Sequence, residues 1–304
     1  MCINPPPGAR RMNPPESAAA GNERGVRFVT APIPFYDFGG QGPLLHFAHS
    51  NGFTPACFRQ VMEPLLPHFH VLAVCHRPLW PGSQPEEMTD WNLVADDMLR
   101  FFDERGIEEV IGVGHSLGAV ATMYAAVKRP SLFRKLVLIE PIFLPPPILQ
   151  MIEANPDFMN TFPLVRNTRA RRNYWPSRQA AFTHFRAKKV FTYWSDEALW
   201  DYVNHALQEN RNGEVVLTYT REWEAQVYMT TPRDVWEHIP RLSLPTLGIR
   251  GAESDSLFPE AWQLWQQIQP KVTFVEIEQA GHMVLMERPR RVAAVMIEFL
   301  RDGR

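Results

Sequence analysis

A short apolar run that ends in a glycine-flanked serine constrains the fold of this 304-residue chain more than any other feature. Residues 109–113 are mostly apolar, which is typical of a buried strand, and residues 117–128 are rich in alanine, which is typical of a helix. Between them stands Gly114-His115-Ser116-Leu117-Gly118. A strand that turns straight into a helix leaves the central residue strained, and the two glycines let strand and helix approach. The stretch therefore predicts a sharp turn that presents the Ser116 hydroxyl to a cleft.

Strand and helix patterns alternate along most of the chain. Residues 26–30 and 33–38 predict an edge hairpin, since edge strands tolerate the prolines there. The later strands are apolar without alternation, which indicates a mostly parallel central sheet with helices on both faces, the α/β class. The predicted strands are 43–49, 71–75, 109–113, 134–139, 246–250 and 272–277, and the predicted helices are 54–66, 91–105, 117–128, 259–268 and 289–301.

The alternation breaks between residues 143 and 232. This segment contains a run of prolines, many aromatic residues and a dense basic group, without the apolar run of a buried strand. We interpret residues 143–232 as a mainly helical cap inserted into a core domain made of residues 25–142 and 233–304. Residues 1–24 are proline-rich and lack a continuous apolar stretch, so they predict a disordered tail rather than a secretory signal.

Composition narrows the class of function. A hydrophobic content of 45% and a charged content of 21% are those of a soluble globular protein. The net charge of −2 gives no reason to expect nucleic acid as a partner. No apolar run reaches the roughly 18 residues that span a bilayer, and the three cysteines form neither a disulfide framework nor a metal cluster. We expect a cytoplasmic protein with a small-molecule ligand and no metal. Its oligomeric state is open, and a homodimer is one possibility.

A serine hydroxyl is a poor nucleophile, so it needs a base and a third group that orients the base. His282 follows a predicted strand on a glycine-bearing loop, at the sheet edge where α/β folds bind ligands. His115 is adjacent to Ser116, but neighbours on a sharp turn point away from each other. His282 is therefore the candidate base.

Three carboxylates compete for the position of the orienting acid. Asp255 lies on the loop after strand 246–250 and is the preferred candidate. Glu140 ends the strand that follows the Ser116 helix and could reach the histidine from that side. Glu253 is third, because a solvated loop residue explains it equally well. The oxyanion of the reaction would be bound by the backbone N–H groups of Leu117 and Asn51.

Taken together, these motifs resemble the α/β-hydrolase superfamily from about residue 26 to the end. The resemblance rests on HSNGF at 49–53, GHSLG at 114–118, RGAESD at 250–255 and GH at 281–282, in the order of the family. It implies Ser116 as nucleophile, Asp255 as acid and His282 as base, with Asn51 and Leu117 as oxyanion donors. Two segments depart from the family pattern: His49 is followed by serine instead of the usual glycine, and HRPLWPG at 76–82 places a tryptophan near the predicted cleft.

Serine at the turn, where related dehalogenases and epoxide hydrolases have aspartate, implies an acyl-enzyme. We expect a cofactor-free serine hydrolase that acts on a medium-sized, partly apolar carboxylic ester. Acyl transfer, lactone or thioester hydrolysis, and carbon–carbon bond hydrolysis are alternatives with the same triad, and a slow-turnover, receptor-like binding protein is the alternative from another class. The candidate substrate-binding residues are aromatic: Trp80, Trp175, Phe185, Trp194 and Trp200.

The basic group of the cap has two interpretations. Its side chains could bind an anionic group of the substrate, or they could form a solvated helix face that pairs with nearby acids. The group consists of Arg166, Arg169, Arg171, Arg172, Arg178, Arg186, Lys188 and Lys189.

Overall fold

A computed structural model of the chain describes residues 27–29, 32–155 and 157–301, so the predicted tail at 1–24 lies outside the described residues. The strands are β1 (Arg27–Val29), β2 (Phe35–Gly39), β3 (Leu44–Ala48), β4 (His70–Val74), β5 (Val110–His115), β6 (Phe133–Ile139), β7 (Tyr174–Trp175), β8 (Leu207–Glu209), β9 (Val215–Leu217), β10 (Thr246–Gly251) and β11 (Thr273–Ile277). The α-helices are α1 (Arg59–Met62), α2 (Asn92–Glu104), α3 (Leu117–Lys128), α4 (Pro146–Ala154), α5 (Phe158–Thr161), α6 (Pro163–Ala170), α7 (Arg178–Arg186), α8 (Asp196–His205), α9 (Arg221–Met229), α10 (Val235–His238), α11 (Pro259–Ile268), α12 (Val284–Glu287) and α13 (Pro289–Arg301). Across these described helices, none is both long and apolar enough to traverse a bilayer.

Eight strands form one sheet in the order β1-β2-β4-β3-β5-β6-β10-β11. Strand β2 runs antiparallel to β1 and β4, and the remaining neighbours are parallel. The predicted mostly parallel α/β sheet is therefore confirmed. Parallel strands end at the same edge, so the loops after β3, β5, β6, β10 and β11 are brought together.

Both faces of the sheet are apolar because both are covered. Along β6, Val137 and Ile139 pack in a core that includes α1 and α13, whereas Leu136 and Leu138 pack in a second core with α2, α3 and α11. Strands buried on two faces have no polar side to alternate with, which explains the continuous apolar runs in the sequence.

Helices α3, α11 and α13 have the predicted bounds. The predicted helix at 54–66 is instead divided into a 3-10 turn (Pro55–Phe58), α1 and a second 3-10 turn (Glu63–Leu65). Pro64 explains the second break, since a proline inside a helix removes a hydrogen bond and clashes with the preceding turn.

Residues 143–232 contain α4 to α9 and a three-stranded antiparallel sheet in the order β7-β9-β8. The sequence did not indicate this small sheet, because strands of two or three residues carry no readable periodicity. Helix α9 is hydrogen-bonded to residues outside this segment. The Trp91 indole donates to Val227 O at 3.0 Å, and the Gln226 amide donates to Met88 O at 3.0 Å.

Candidate active site

Ser116 stands at the junction of β5 and α3 with φ 57° and ψ −119°, in the left-handed region that side chains rarely adopt. Its backbone N–H donates to Ile139 O at 3.0 Å, which ties the turn to the end of β6. A Cβ at Gly118 would lie 2.1 Å from Ala48 O, so only glycine lets α3 begin this close to β3. The turn predicted from GHSLG is therefore present, with Ser116 at its strained position.

His282 lies on the loop after β11 and joins Ser116 to a carboxylate. Its Nε2 is 3.1 Å from Ser116 Oγ, and its Nδ1 is 3.0 Å from Glu140 Oε2. A carboxylate only accepts hydrogen bonds, so Nδ1–H donates to Glu140 and Nε2 is left to accept the Ser116 proton. This is the arrangement of a nucleophile, a base and an orienting acid.

Glu140 is fully buried and has φ 49°, a second strained position immediately after a strand. The Gly251 backbone N–H donates to its Oε1 at 2.6 Å, and the Ser254 hydroxyl donates to its Oε2 at 2.6 Å. Two donors therefore fix the carboxylate in addition to its contact with His282. Backbone strain held by such a network is common where a functional side chain must be aimed.

Asp255 does not occupy the acid position, which corrects the expectation from sequence. Its side chain is exposed, and its Oδ1 accepts from the Ser256 hydroxyl at 3.3 Å. The loop after β10 turns Ser254 inward, toward Glu140, and leaves Asp255 outside. Glu253 is also exposed and accepts from the Tyr193 hydroxyl at 2.9 Å.

The two predicted oxyanion donors lie on segments that meet beside Ser116. Leu117 is the first residue of α3, where a backbone N–H has no carbonyl partner within the helix. Asn51 is buried on the loop after β3, and its side-chain amide donates to Glu224 O of α9 at 3.1 Å. The loop is shaped by His49, whose Nε2 accepts from His76 N at 3.0 Å and whose Nδ1 donates to Ser50 O at 2.9 Å.

Comparison with known proteins identifies the family. The model of the alpha/beta hydrolase family matches residues 47–295. The chain belongs to the alpha/beta hydrolase family. The family assignment covers the Ser116 turn, the Glu140 strand end and the His282 loop alike.

Individual relatives of this α/β hydrolase are distant. It is 36% identical to the 2-(acetamidomethylene)succinate hydrolase of Mesorhizobium japonicum over 101 residues, which are 33% of this chain and 36% of that protein. The crystal structure of an E-2-(acetamidomethylene)succinate hydrolase aligns over 90% of this chain and 98% of its own, with a TM-score of 0.74 and 23% identity. An esterase structure from Mycobacterium tuberculosis aligns over 92% of both chains, with a TM-score of 0.69 and 22% identity. At these identities the structures show a shared fold.

His115 of this α/β hydrolase links the two loops that flank Ser116. Its ring is fully buried, and Nε2 lies 2.8 Å from His282 O. A carbonyl only accepts, so Nε2 carries the proton and Nδ1 accepts from the Ser50 hydroxyl. Burial lowers the pKa of His115 to about 3, which keeps the ring neutral. The two hydrogen-bond partners select this tautomer. Ser50, which replaces the glycine usual after this histidine in the family, therefore donates a hydrogen bond to His115 that a glycine could not make.

Replacing His115 with phenylalanine removes the hydrogen-bond partner of two buried groups, the Ser50 hydroxyl and the His282 carbonyl. Each unpaired group costs about 1 to 3 kcal/mol. We therefore expect kcat to fall about tenfold or more. The imidazole of His282 would lose the anchor of its own carbonyl. Steady-state kinetics on an ester should show the loss in kcat with KM little changed. Ser50→Ala, which removes one of the two bonds, should have a smaller effect. An unaltered kcat in a folded His115→Phe protein would contradict a positioning role.

The aromatic candidates divide between the cap interior and the loop after β4. Trp175 and Phe185 pack against each other in the cap at 4.9 Å between ring centroids, and Trp200 stacks on Phe182 at 4.5 Å. The ring centroid of Trp194 lies 6.2 Å from that of Phe53, on the loop after β3. These contacts make Trp175, Phe185 and Trp200 part of the apolar core that residues 143–232 share with the central sheet. Trp194 is the candidate that also reaches the loop after β3.

Trp80 packs the loop after β4 instead of presenting its ring to a ligand. Its indole N–H donates to Cys75 O at 2.6 Å, and the guanidinium groups of Arg77 and Arg100 each lie 5.4 Å from its ring centroid. These contacts favour the packing interpretation of the tryptophan in HRPLWPG.

Much of the basic group of the cap has structural partners. Arg178 donates to backbone carbonyls near the end of α8, the closest being Val203 O at 2.6 Å, and Arg186 pairs with Asp196 at 2.8 Å. Arg166, Arg169, Lys188 and Lys189 are exposed. Arg171 differs, because it forms an ion pair with the buried Glu224, whose backbone carbonyl accepts from the Asn51 amide on the loop after β3. Sequence could not pair these two residues, which are 53 positions apart.

Proposed function

We propose that this chain is a serine hydrolase that cleaves carboxylic esters through an acyl-enzyme. One observation carries the proposal: a continuous chain of contacts runs from Ser116 Oγ to His282 Nε2 and from His282 Nδ1 to Glu140 Oε2, at 3.1 and 3.0 Å. These distances are those of a nucleophile and base within hydrogen-bond reach. Membership of a family of hydrolases supports the same reaction class.

The proposed reaction has two halves. His282 Nε2 takes the Ser116 proton while Ser116 Oγ attacks the ester carbonyl, and the backbone N–H groups of Leu117 and Asn51 stabilise the oxyanion. The imidazolium, held by the Glu140 carboxylate, gives its proton to the departing alkoxide. Water then attacks the acyl-enzyme with His282 as base, and the carboxylic acid leaves.

The surroundings favour an acyl group that is partly apolar. Phe53 of the oxyanion loop packs with Phe58, Trp194 and Tyr202, with ring centroids 5.1 to 6.2 Å apart. This aromatic group joins the core domain to the cap next to the proposed oxyanion donor. An apolar chain of medium length would be desolvated there.

Amide hydrolysis is the second candidate. The relative with 36% identity over 101 residues is named for the hydrolysis of an acetamido compound, while the M. tuberculosis structure is described as an esterase. Both reactions use the same triad and pass through the same acyl-enzyme. Matched p-nitrophenyl esters and p-nitroanilides of one acyl group would separate the two activities.

Mixing the protein with an excess of p-nitrophenyl ester of graded chain length is expected to give a burst of p-nitrophenol. The burst amplitude should approach one equivalent per Ser116, because acylation of serine by an activated ester outpaces hydrolysis of the acyl-enzyme. Stopped-flow absorbance measures the burst, and added alcohols distinguish acyl transfer from hydrolysis. A burst followed by negligible turnover would favour the receptor-like alternative, and the absence of any release above the buffer rate would contradict the proposal.

A further inference from the structure

The loop after β3 is held from two directions. Its first two residues bond to groups next to the central sheet: the His76 backbone N–H donates to His49 Nε2 at 3.0 Å, and the Ser50 hydroxyl donates to His115 Nδ1. These contacts fix the start of the loop on the side of β4 and β5. The next four residues all lie against the proposed cap.

Asn51 and Gly52 lie against helix α9. The Asn51 side-chain amide donates to Glu224 O at 3.1 Å, and the Tyr228 hydroxyl hydrogen-bonds with the Asn51 side chain. Beside Gly52, an added Cβ would lie 3.2 Å from Glu224 Cδ, so the Glu224 side chain closes that face of the loop. Gly52 has φ 80°, and a glycine allows the backbone wide rotation. The contacts with α9 therefore limit how residue 51 can turn.

Phe53 and Thr54 contact a second helix of the proposed cap, α8. The buried Thr54 hydroxyl donates to the carbonyl of His205, the last residue of α8, at 3.0 Å. The ring centroid of Phe53 lies 5.1 Å from that of Tyr202. Two helices thus hold four consecutive residues of the loop.

The helices that hold the loop are themselves joined by a charged network. Arg171 Nη2 lies 2.6 Å from Glu224 Oε2 of α9, and only 8% of the Glu224 side chain is exposed. The Tyr228 hydroxyl donates to the same carboxylate, since a carboxylate only accepts. The Arg171 guanidinium also donates to the Tyr202 hydroxyl of α8. A buried polar network whose members are paired rigidifies the elements that it joins.

We infer that the proposed cap positions the Asn51 backbone N–H for the reaction, and that Tyr228, Glu224 and Arg171 are positioning residues of the oxyanion site. This inference rests on the proposed function, in which that N–H binds the oxyanion. A donor is effective only when it lies about 2.7 to 3.1 Å from the oxyanion. By holding the Asn51 side chain through Glu224 O and the Tyr228 hydroxyl, α9 restricts rotation of the peptide group that carries the N–H.

Tyr228→Phe tests the inference with the loss of one hydroxyl. The ring stays in place, while Asn51 and Glu224 each lose a hydrogen bond. We expect kcat for p-nitrophenyl esters to fall about tenfold or more with KM within about twofold of native, because the oxyanion forms only in the transition state. Tyr174→Phe, at an exposed tyrosine of the same segment, is the matched control and should keep native kinetics.

Asn51→Leu is the stronger variant. It keeps the backbone N–H and the approximate size of the residue, and it removes both side-chain bonds to α9. We expect kcat to fall by about 10², at the lower end of the loss that follows removal of an oxyanion donor. If this variant does not fold, Tyr228→Phe decides.

A trifluoromethyl ketone with the same acyl chain separates positioning from a general loss of structure. Ser116 Oγ adds to its carbonyl carbon, the Ser116 proton passes to His282 Nε2, and the carbonyl oxygen becomes an oxyanion. In both variants the Ki of the ketone should rise by about the factor by which kcat/KM falls. The burst amplitude should stay near one equivalent, because every molecule still acylates. A native Ki beside a lowered burst amplitude would indicate partial unfolding and would overturn the inference.

The native protein separates this inference from the function on which it rests. If it hydrolyses the esters and binds the ketone while the folded variants keep native kcat and native Ki, the positioning role is overturned and the esterase proposal stands. If the native protein does neither, the esterase proposal falls and the inference falls with it.

Discussion

Replacing Ser116 with alanine is expected to lower kcat for p-nitrophenyl esters by about 10⁴ to 10⁶, leaving only the contribution of binding and the oxyanion donors. The change removes the hydroxyl oxygen that lies 3.1 Å from His282 Nε2. Steady-state kinetics with the purified variant measure the loss. Ser131→Ala, at an exposed serine away from the turn, is the control and should keep native turnover.

The same experiment extends to His282. His282→Ala should lose about as much activity as Ser116→Ala, and the double variant should be no worse than either single variant, because residues that act as a unit are not additive. Additive losses, or ester hydrolysis by a folded Ser116→Ala protein at a rate near the native one, would show that another group performs the attack.

Replacing Glu140 with glutamine is expected to lower kcat by about 10³ to 10⁴, the order observed when the orienting carboxylate of a triad becomes an amide. A glutamine can donate to His282 Nδ1, which would put the imidazole proton on Nε2, where it cannot accept from Ser116. Kinetics on the same esters, with circular dichroism to verify folding, measure the effect.

Asp255→Asn is the matched control for that prediction. Its side chain is exposed and contacts Ser256 instead of His282, so kcat should stay within about twofold of native. If Asp255→Asn were the inactive variant and Glu140→Gln the active one, the acid would be Asp255, which would require the loop after β10 to rearrange in solution.

The sequence was sufficient to predict the elements whose residues show a strong apolar pattern. Helices α3, α11 and α13 appear where their apolar spacing and flanking residues placed them, and β5 leads into the Ser116 turn as GHSLG indicated. These features depend on local interactions and on burial of a continuous apolar face, and both can be predicted from residues that are close in sequence. The cap sheet β7-β9-β8 has strands too short to carry such a pattern.

The acid could not be chosen from sequence, because Glu140 and Asp255 both follow strands that are neighbours in the sheet. Strands β6 and β10 pair in parallel, with Ile139 opposite Ile249, so their following residues reach the same edge. The choice is made by backbone geometry. Glu140 adopts φ 49° and turns inward, while the next loop presents Ser254 to it and leaves Asp255 exposed.

The polar cluster of Arg171, Glu224 and Asn51 was equally hidden. Its members come from three separate segments, and each looks ordinary in its own sequence context: a basic run, an amphipathic helix and a turn. Only the packing of α9 against the loop after β3 brings them together. Contacts between distant segments of a cap and a core have no local signature for sequence analysis to detect.

Labelling with a fluorophosphonate, followed by peptide mapping, is the most direct test of the proposed triad. We predict one adduct per native protein, on the peptide that contains Ser116, with the adduct retained in Asp255→Asn, slowed in Glu140→Gln and absent in Ser116→Ala and His282→Ala. A folded native protein that acquires no adduct, or acquires it on another residue, would contradict the assignment of Ser116 as a nucleophile activated by His282.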